Sequence, residues 1–99
     1  MNIAVAGAGF VGIVHAVIMA KQGNKVILFD VNEQRIADLT SFCQGKTDKL
    51  PIHEEGLPEI LRQVYKEKFL ECTTDAKKAI QESTVIFIAV GTPPNAQGK

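Results

Sequence analysis

An apolar run, Ile3-Ala4-Val5-Ala6, leads straight into Gly7-Ala8-Gly9-Phe10-Val11-Gly12 and then into a stretch with helical character. Few sequences constrain a fold more tightly. The apolar run is short enough for a buried strand, and G-x-G-x-x-G is the loop that joins such a strand to a helix in a dinucleotide-binding unit. Each glycine has a physical task. Gly7 allows the tight turn out of the strand, Gly9 lets a pyrophosphate approach the backbone, and Gly12 lets the helix pack close to the strand. The helix start then offers unpaired N–H groups and the positive end of its dipole to the phosphates. An acid, Asp30, follows 18 residues after Gly12 at the end of the next apolar run, where a ribose-binding carboxylate belongs.

The remaining pattern alternates strand and helix. Asn2–Ala6 is predicted as the first strand and Phe10–Gln22 as a helix that is apolar nearly all round and therefore largely buried. Lys25–Asp30 reads as a second strand, covered on both faces. Asn32 is the expected cap of a helix carrying Ile36, Leu39 and Cys43 at helical spacing, and Gln44-Gly45-Lys46 closes it. Pro58 opens a further helix with Ile60, Leu61, Val64 and Tyr65 as its apolar side. Phe69–Thr73 is a third strand, Thr74 or Asp75 caps a helix reaching Gln81, and Thr84–Val90 is a fourth strand, again buried on both faces. The expected fold is α/β: a Rossmann-type doubly wound parallel sheet with strand order 3-2-1-4. Ligands of such sheets bind at the carboxyl ends of the strands, beside the point where the order reverses. Gly7–Gly12, Asp30 and Gly91-Thr92 all fall there.

A complete dinucleotide domain has about six strands, and this sequence supplies about four. With 99 residues it is expected to be the N-terminal portion of a longer enzyme. Eleven basic residues balance eleven acidic ones, and no basic stripe suggests nucleic acid. No apolar run approaches the ~20 residues of a membrane helix, and no cationic leader precedes the first strand, so a cytoplasmic protein is expected. Cys43 and Cys72 read as reduced, buried thiols rather than nucleophiles. His15 reads as a partly buried packing residue. His53-Glu54-Glu55 lacks a second ligand pair and reads as a solvated loop, so neither a metal site nor a catalytic set is expected. A fourth strand with one edge unpaired invites pairing, which points to a homo-oligomer.

Asp30 favours NAD over NADP, because its charge repels a 2′-phosphate. Arg35 can serve such a phosphate or lie over the adenine or ribose of NAD, and the loop alone does not distinguish FAD. Beyond the loop, Leu50-Pro51-Ile52-His53-Glu54-Glu55-Gly56-Leu57, Thr73-Thr74-Asp75 with Ala79-Ile80, and Ile88-Ala89-Val90-Gly91-Thr92-Pro93 complete a set of motifs spread over the whole chain. Together they resemble the UDP-glucose/GDP-mannose dehydrogenase family. Phe10 stands where the family has tyrosine, and His53-Glu54-Glu55 where it has Tyr-Glu-Pro. The loop Gly45 to Lys49 looks longer than the family's.

The resemblance implies that Gly7, Ala8, Gly9, Phe10, Val11 and Gly12 hold the pyrophosphate of NAD. It implies that Asp30 binds the adenosine ribose with Arg35 beside it, and that Val90, Gly91 and Thr92 line the cofactor across the switch point. It also implies oxidation of the C6 alcohol of a UDP-sugar in two hydride transfers, on a cysteine, lysine and aspartate that lie downstream in the family. These 99 residues alone are then expected to be inactive. Two alternatives use the same glycines and acid: a non-catalytic dinucleotide-sensing module such as those attached to transporters, and another Rossmann dehydrogenase of hydroxyacyl or phosphogluconate type.

Overall fold

The computed structural model describes residues 1–47 and 56–89. Four strands, β1 (Asn2–Ala6), β2 (Lys25–Phe29), β3 (Leu70–Thr73) and β4 (Val85–Ile88), form one sheet in the order β3-β2-β1-β4. Every neighbouring pair is parallel. The helices are α1 (Phe10–Lys21), α2 (Glu33–Cys43), α3 (Leu57–Lys66) and α4 (Ala76–Gln81). The strand order is the one expected, and the fold is Rossmann-like.

The period of two along each strand sorts side chains between the faces. One face carries Ile3, Val5, Val26, Leu28 and Leu70, which join Ile13, Ala16 and Val17 of α1, Ile36, Leu39 and Phe42 of α2, and Leu61 and Val64 of α3 in the main core. Leu39 and Leu61 are fully enclosed, and truncating such a leucine costs about 2–5 kcal/mol. The other face is thinly covered. There, among the described residues, Ala4 and Ile27 meet Ala79 of the short α4, with Phe29 packed alongside.

Local chemistry fixes the helix ends. Asn32 caps α2 by accepting from the Arg35 backbone N–H at 3.0 Å, and Asp75 caps α4 through Lys78 N–H at 3.1 Å. Three helices end in the same clasp. After α1, Gly23 N–H donates to Ala20 O and Asn24 N–H to Met19 O; after α2, Gly45 and Lys46 do the same to Phe42 O and Ser41 O. After α3, the corresponding donors are Lys68 and Phe69, to Tyr65 O and Val64 O. These are Schellman motifs, which need a left-handed residue at the turn. Gly23 and Gly45 supply it without strain, whereas Lys68 adopts φ 68° as an ordinary L-residue. Arg62 of α3 donates from Nε to Phe42 O and from Nη2 to Thr47 O, both at 2.9 Å, with its guanidinium 4.0 Å from the centre of the Phe42 ring. It thereby ties α3 to the carbonyl-rich end of α2. On the thin face Lys78 of α4 pairs with Glu71 of β3, and that carboxylate raises the Lys78 pKa.

Several expectations are corrected. β4 is not buried on both faces: Val85, Ile86 and Ile88 are exposed, because among the described residues β4 has β1 on one side only and α4 lies over β1 and β2 instead. The apolar α1 is buried along one stripe only (Gly12, Ile13, Ala16, Val17, Ala20), leaving Phe10, Val11 and Ile18 outside, since a single sheet face covers a single side of a helix. His15 lies on that exposed side rather than partly buried. Strand and helix limits move by one or two residues, and Leu57, not Pro58, opens α3. Burial was right for Cys43. Cys72 is only half-buried because β3 is an edge strand.

Candidate functional site

The carboxyl ends of β1 and β2 place the glycine loop beside the acid. Gly7 leaves β1 with φ 115°, a conformation that an L side chain resists, and its N–H donates to Phe29 O at 2.7 Å. The first glycine therefore does make the turn, and the turn is hydrogen-bonded to the last residue of β2. Asp30, the next residue, points back at the loop. Its Oδ2 accepts from Ala8 N–H and its Oδ1 from Asn32 N–H, each at 2.8 Å. Arg35, in the first turn of α2, donates from Nη1 to Ala8 O at 3.3 Å. Residue Ala8 is thus held at both its N–H and its carbonyl by side chains from the β2–α2 turn.

The other two glycines differ sharply in their surroundings. A Cβ placed on Gly12 would lie 1.7 Å from Gly7 O and 3.5 Å from Ala89 Cβ, so only glycine fits between α1 and the end of β1. A Cβ on Gly9 would meet nothing nearer than Arg35 Nη1 at 4.0 Å. Gly9 is the N-cap residue of α1 and makes no side-chain cap, so the first N–H groups of the helix have no side-chain cap from it. Open space at a helix start, with a guanidinium on one side and a fixed carboxylate on the other, suits an anionic diphosphate joined to a sugar.

Phe10 and Val11 begin α1 and are exposed; Ala8 is fully buried beneath the loop. Of the third segment, Ala89 marks the carboxyl end of β4. Its N–H donates to Ala6 O at 2.8 Å, which sets Ala89 Cβ 3.5 Å from where a Cβ on Gly12 would lie. Val90, Gly91 and Thr92 lie outside the described residues, as do His53, Glu54 and Glu55. His15 donates from Nδ1 to Val11 O at 2.9 Å and stacks on Phe87 of β4, ring centres 4.9 Å apart. It fastens α1 to β4.

Sequence reasoning had Asn32 only as a helix cap. In the structure it also binds Asp30, so the spacing Asp30-x-Asn32-x-x-Arg35 is one unit. The signal was present, since Asp followed two residues later by a backbone donor is an Asx turn. The thiols stand apart from this site. Burial pushes the Cys43 pKa up to about 11 and the Cys72 pKa up to about 12, which keeps both protonated and inert at neutral pH. No group of three metal-ligating side chains occurs among the described residues, and none of their helices is long and apolar enough to cross a membrane.

The sequence matches the NAD binding domain of the UDP-glucose/GDP-mannose dehydrogenase family over residues 1–99. It is 38% identical over 98 residues to the UDP-glucose 6-dehydrogenase TuaD of Bacillus subtilis, covering 99% of this chain and 20% of that protein. It is 43% identical over 98 residues to a GDP-mannose 6-dehydrogenase of Pseudomonas aeruginosa, covering 99% of this chain and 21% of the relative. Among solved structures, a ternary complex of GDP-mannose dehydrogenase from Pseudomonas aeruginosa superposes with a TM-score of 0.84 at 40% identity, over 100% of this chain and 21% of that one. The chain therefore spans about a fifth of the length of the curated relatives it matches. On these matches and on the fold they share, the chain belongs to the UDP-glucose/GDP-mannose dehydrogenase family, as its NAD binding domain.

Proposed function

We propose that this chain holds the adenosine and pyrophosphate portion of NAD for a nucleotide-sugar 6-dehydrogenase, residues 1–99 being the first part of its cofactor domain. Gly7, Ala8, Gly9, Phe10, Val11 and Gly12 take the pyrophosphate. Asp30 takes the ribose hydroxyls, Arg35 lies beside it, and Val90, Gly91 and Thr92 line the cofactor across the switch point. NAD supplies the hydride acceptor, and this chain's residues bind and orient it. The observation that carries the proposal is the 2.8 Å bond between the Asp30 carboxylate and Ala8 N–H. It puts acid and loop in one crevice and leaves Asp30 other lone pairs for a sugar. Because two backbone donors fix the carboxylate, it has no freedom to swing away from a 2′-phosphate, which favours NAD over NADP.

The substrate is proposed to be a UDP-sugar, with UDP-glucose the first to try. A second reading, GDP-mannose, is favoured by the 43% identity to a GDP-mannose enzyme. The full protein is proposed to be a cytoplasmic homo-oligomer, the two free thiols being in keeping with a reducing compartment.

Calorimetry tests the binding. Asp30→Ala is expected to weaken NAD binding about tenfold or more, the loss of charge-assisted bonds to a sugar; equal affinities would remove Asp30 from the ribose role. In the same series, the 99-residue chain mixed with UDP-glucose and NAD is expected to yield no NADH, whereas fusion to the downstream sequence restores turnover.

A further inference from the structure

We infer that Arg35 is a positioning residue, holding the Ala8–Gly9 peptide in one orientation so that the phosphate cradle is formed before any ligand arrives. The inference rests on the nucleotide reading of the loop but concerns the loop itself. Asp30 grips Ala8 N–H, which belongs to the Gly7–Ala8 peptide, and so fixes that plane. The next plane, Ala8–Gly9, is held through its carbonyl by Arg35 Nη1. A trans peptide sets N–H opposite C=O. With the carbonyl turned to the guanidinium, the Gly9 N–H faces away from it.

This plane is the weak point of the loop. Turning a peptide over changes ψ of the residue before and φ of the residue after, in opposite senses. Gly9 sits at φ −80°, ψ −170°, and as glycine it accepts the positive φ of the flipped state at little cost. The freedom that lets a ligand close to the backbone also lets the backbone turn. A flipped plane would set a carbonyl oxygen where the Gly9 donor now lies, and an anion would meet a negative dipole end. Arg35 opposes this, and its backbone is anchored: its N–H binds the Asn32 side chain, while Asn32 N–H binds Asp30. The ring of bonds from Asp30 through Asn32 and Arg35 closes on both sides of Ala8.

The test uses the unliganded protein, where a residue that only touches cofactor changes nothing. Arg35→Met keeps the length of the side chain and removes the donor; Arg35→Lys keeps a donor and a charge. Backbone relaxation dispersion by NMR is expected to show new microsecond-to-millisecond exchange at the Ala8 and Gly9 amides in Arg35→Met, absent from wild type and suppressed in Arg35→Lys. ADP binding should weaken about tenfold in Arg35→Met while adenosine binding holds, because only the phosphates use the loop. Unaltered Gly9 dynamics in Arg35→Met overturn the inference, even if ADP affinity falls, since Arg35 would then be a plain ligand contact. Altered Gly9 dynamics in a protein whose wild type binds no ADP would uphold the clamp and sink the nucleotide reading instead.

Discussion

At the scale of single residues, the two later glycines of the loop make a matched pair of opposites. Gly12→Ala forces a methyl against the Gly7 carbonyl at 1.7 Å, backbone on backbone, with no side chain able to yield. It is expected to cost about 3 kcal/mol or more, the upper end of overpacking, read as a fall in the urea midpoint. Gly9→Ala enters open space at a φ that alanine accepts. It should leave stability within about 1 kcal/mol of wild type while weakening ADP binding, as calorimetry would show. The two thiols give a pH prediction. Below the ordinary thiol pKa of 9.0 both states hold the proton and nothing changes. Above it the unfolded chain ionises while Cys43 and Cys72 stay protonated to about 11 and about 12. Stability should therefore fall from pH 9 upward through that window, and a Cys43→Ala, Cys72→Ala variant should show a shallower fall in urea melts across it. The glycines and Asp30 were legible in the sequence because each carries a residue-specific backbone or charge requirement. The hold of Arg35 on Ala8 was not, since a long flexible side chain has no spacing rule that predicts its end point.

At the scale of elements, the three clasps that end α1, α2 and α3 share one backbone geometry and differ in one residue. Gly23 and Gly45 were readable as helix stops; Lys68 hid the third, because nothing in a lysine announces a left-handed turn. Lys68→Gly is expected to raise stability by about 0.5–1 kcal/mol, visible as a higher thermal midpoint; a lower midpoint would mean that the lysine stem contributes packing. Element type and order followed from apolar periodicity, which strands and helices impose on every turn. Burial did not. α1 and β4 have the composition of enclosed elements, yet what encloses an element is another element, and periodicity does not say whether one is there. Hence Phe10, Val11 and Ile18 on α1, with Ile86 and Ile88 on β4, stand exposed.

At the scale of the whole molecule, the sheet is unequally clothed. Three helices seal one face, while the other has, among the described residues, α4 and its Lys78–Glu71 pair. The exposed isoleucines of β4 and Ile80 of α4 add an apolar surface beside a strand edge, a combination that promotes association. The chain is expected to self-associate at high concentration by light scattering, and Ile86→Thr with Ile88→Thr should shift it toward monomer; identical behaviour of the pair and wild type would place the association elsewhere.

That imbalance also sets the sequence in which the molecule comes apart. Among the described residues α4 and β4 have the least to lose by detaching, so fraying on warming is expected there before α1, α2 and α3, with residues 74 to 84 opening to a protease ahead of those helices. The clamp on Ala8 joins the end of β1 to the β2–α2 turn and uses no bond from α4 or β4, so a partly melted molecule is expected to keep that loop in shape after its fourth strand has gone.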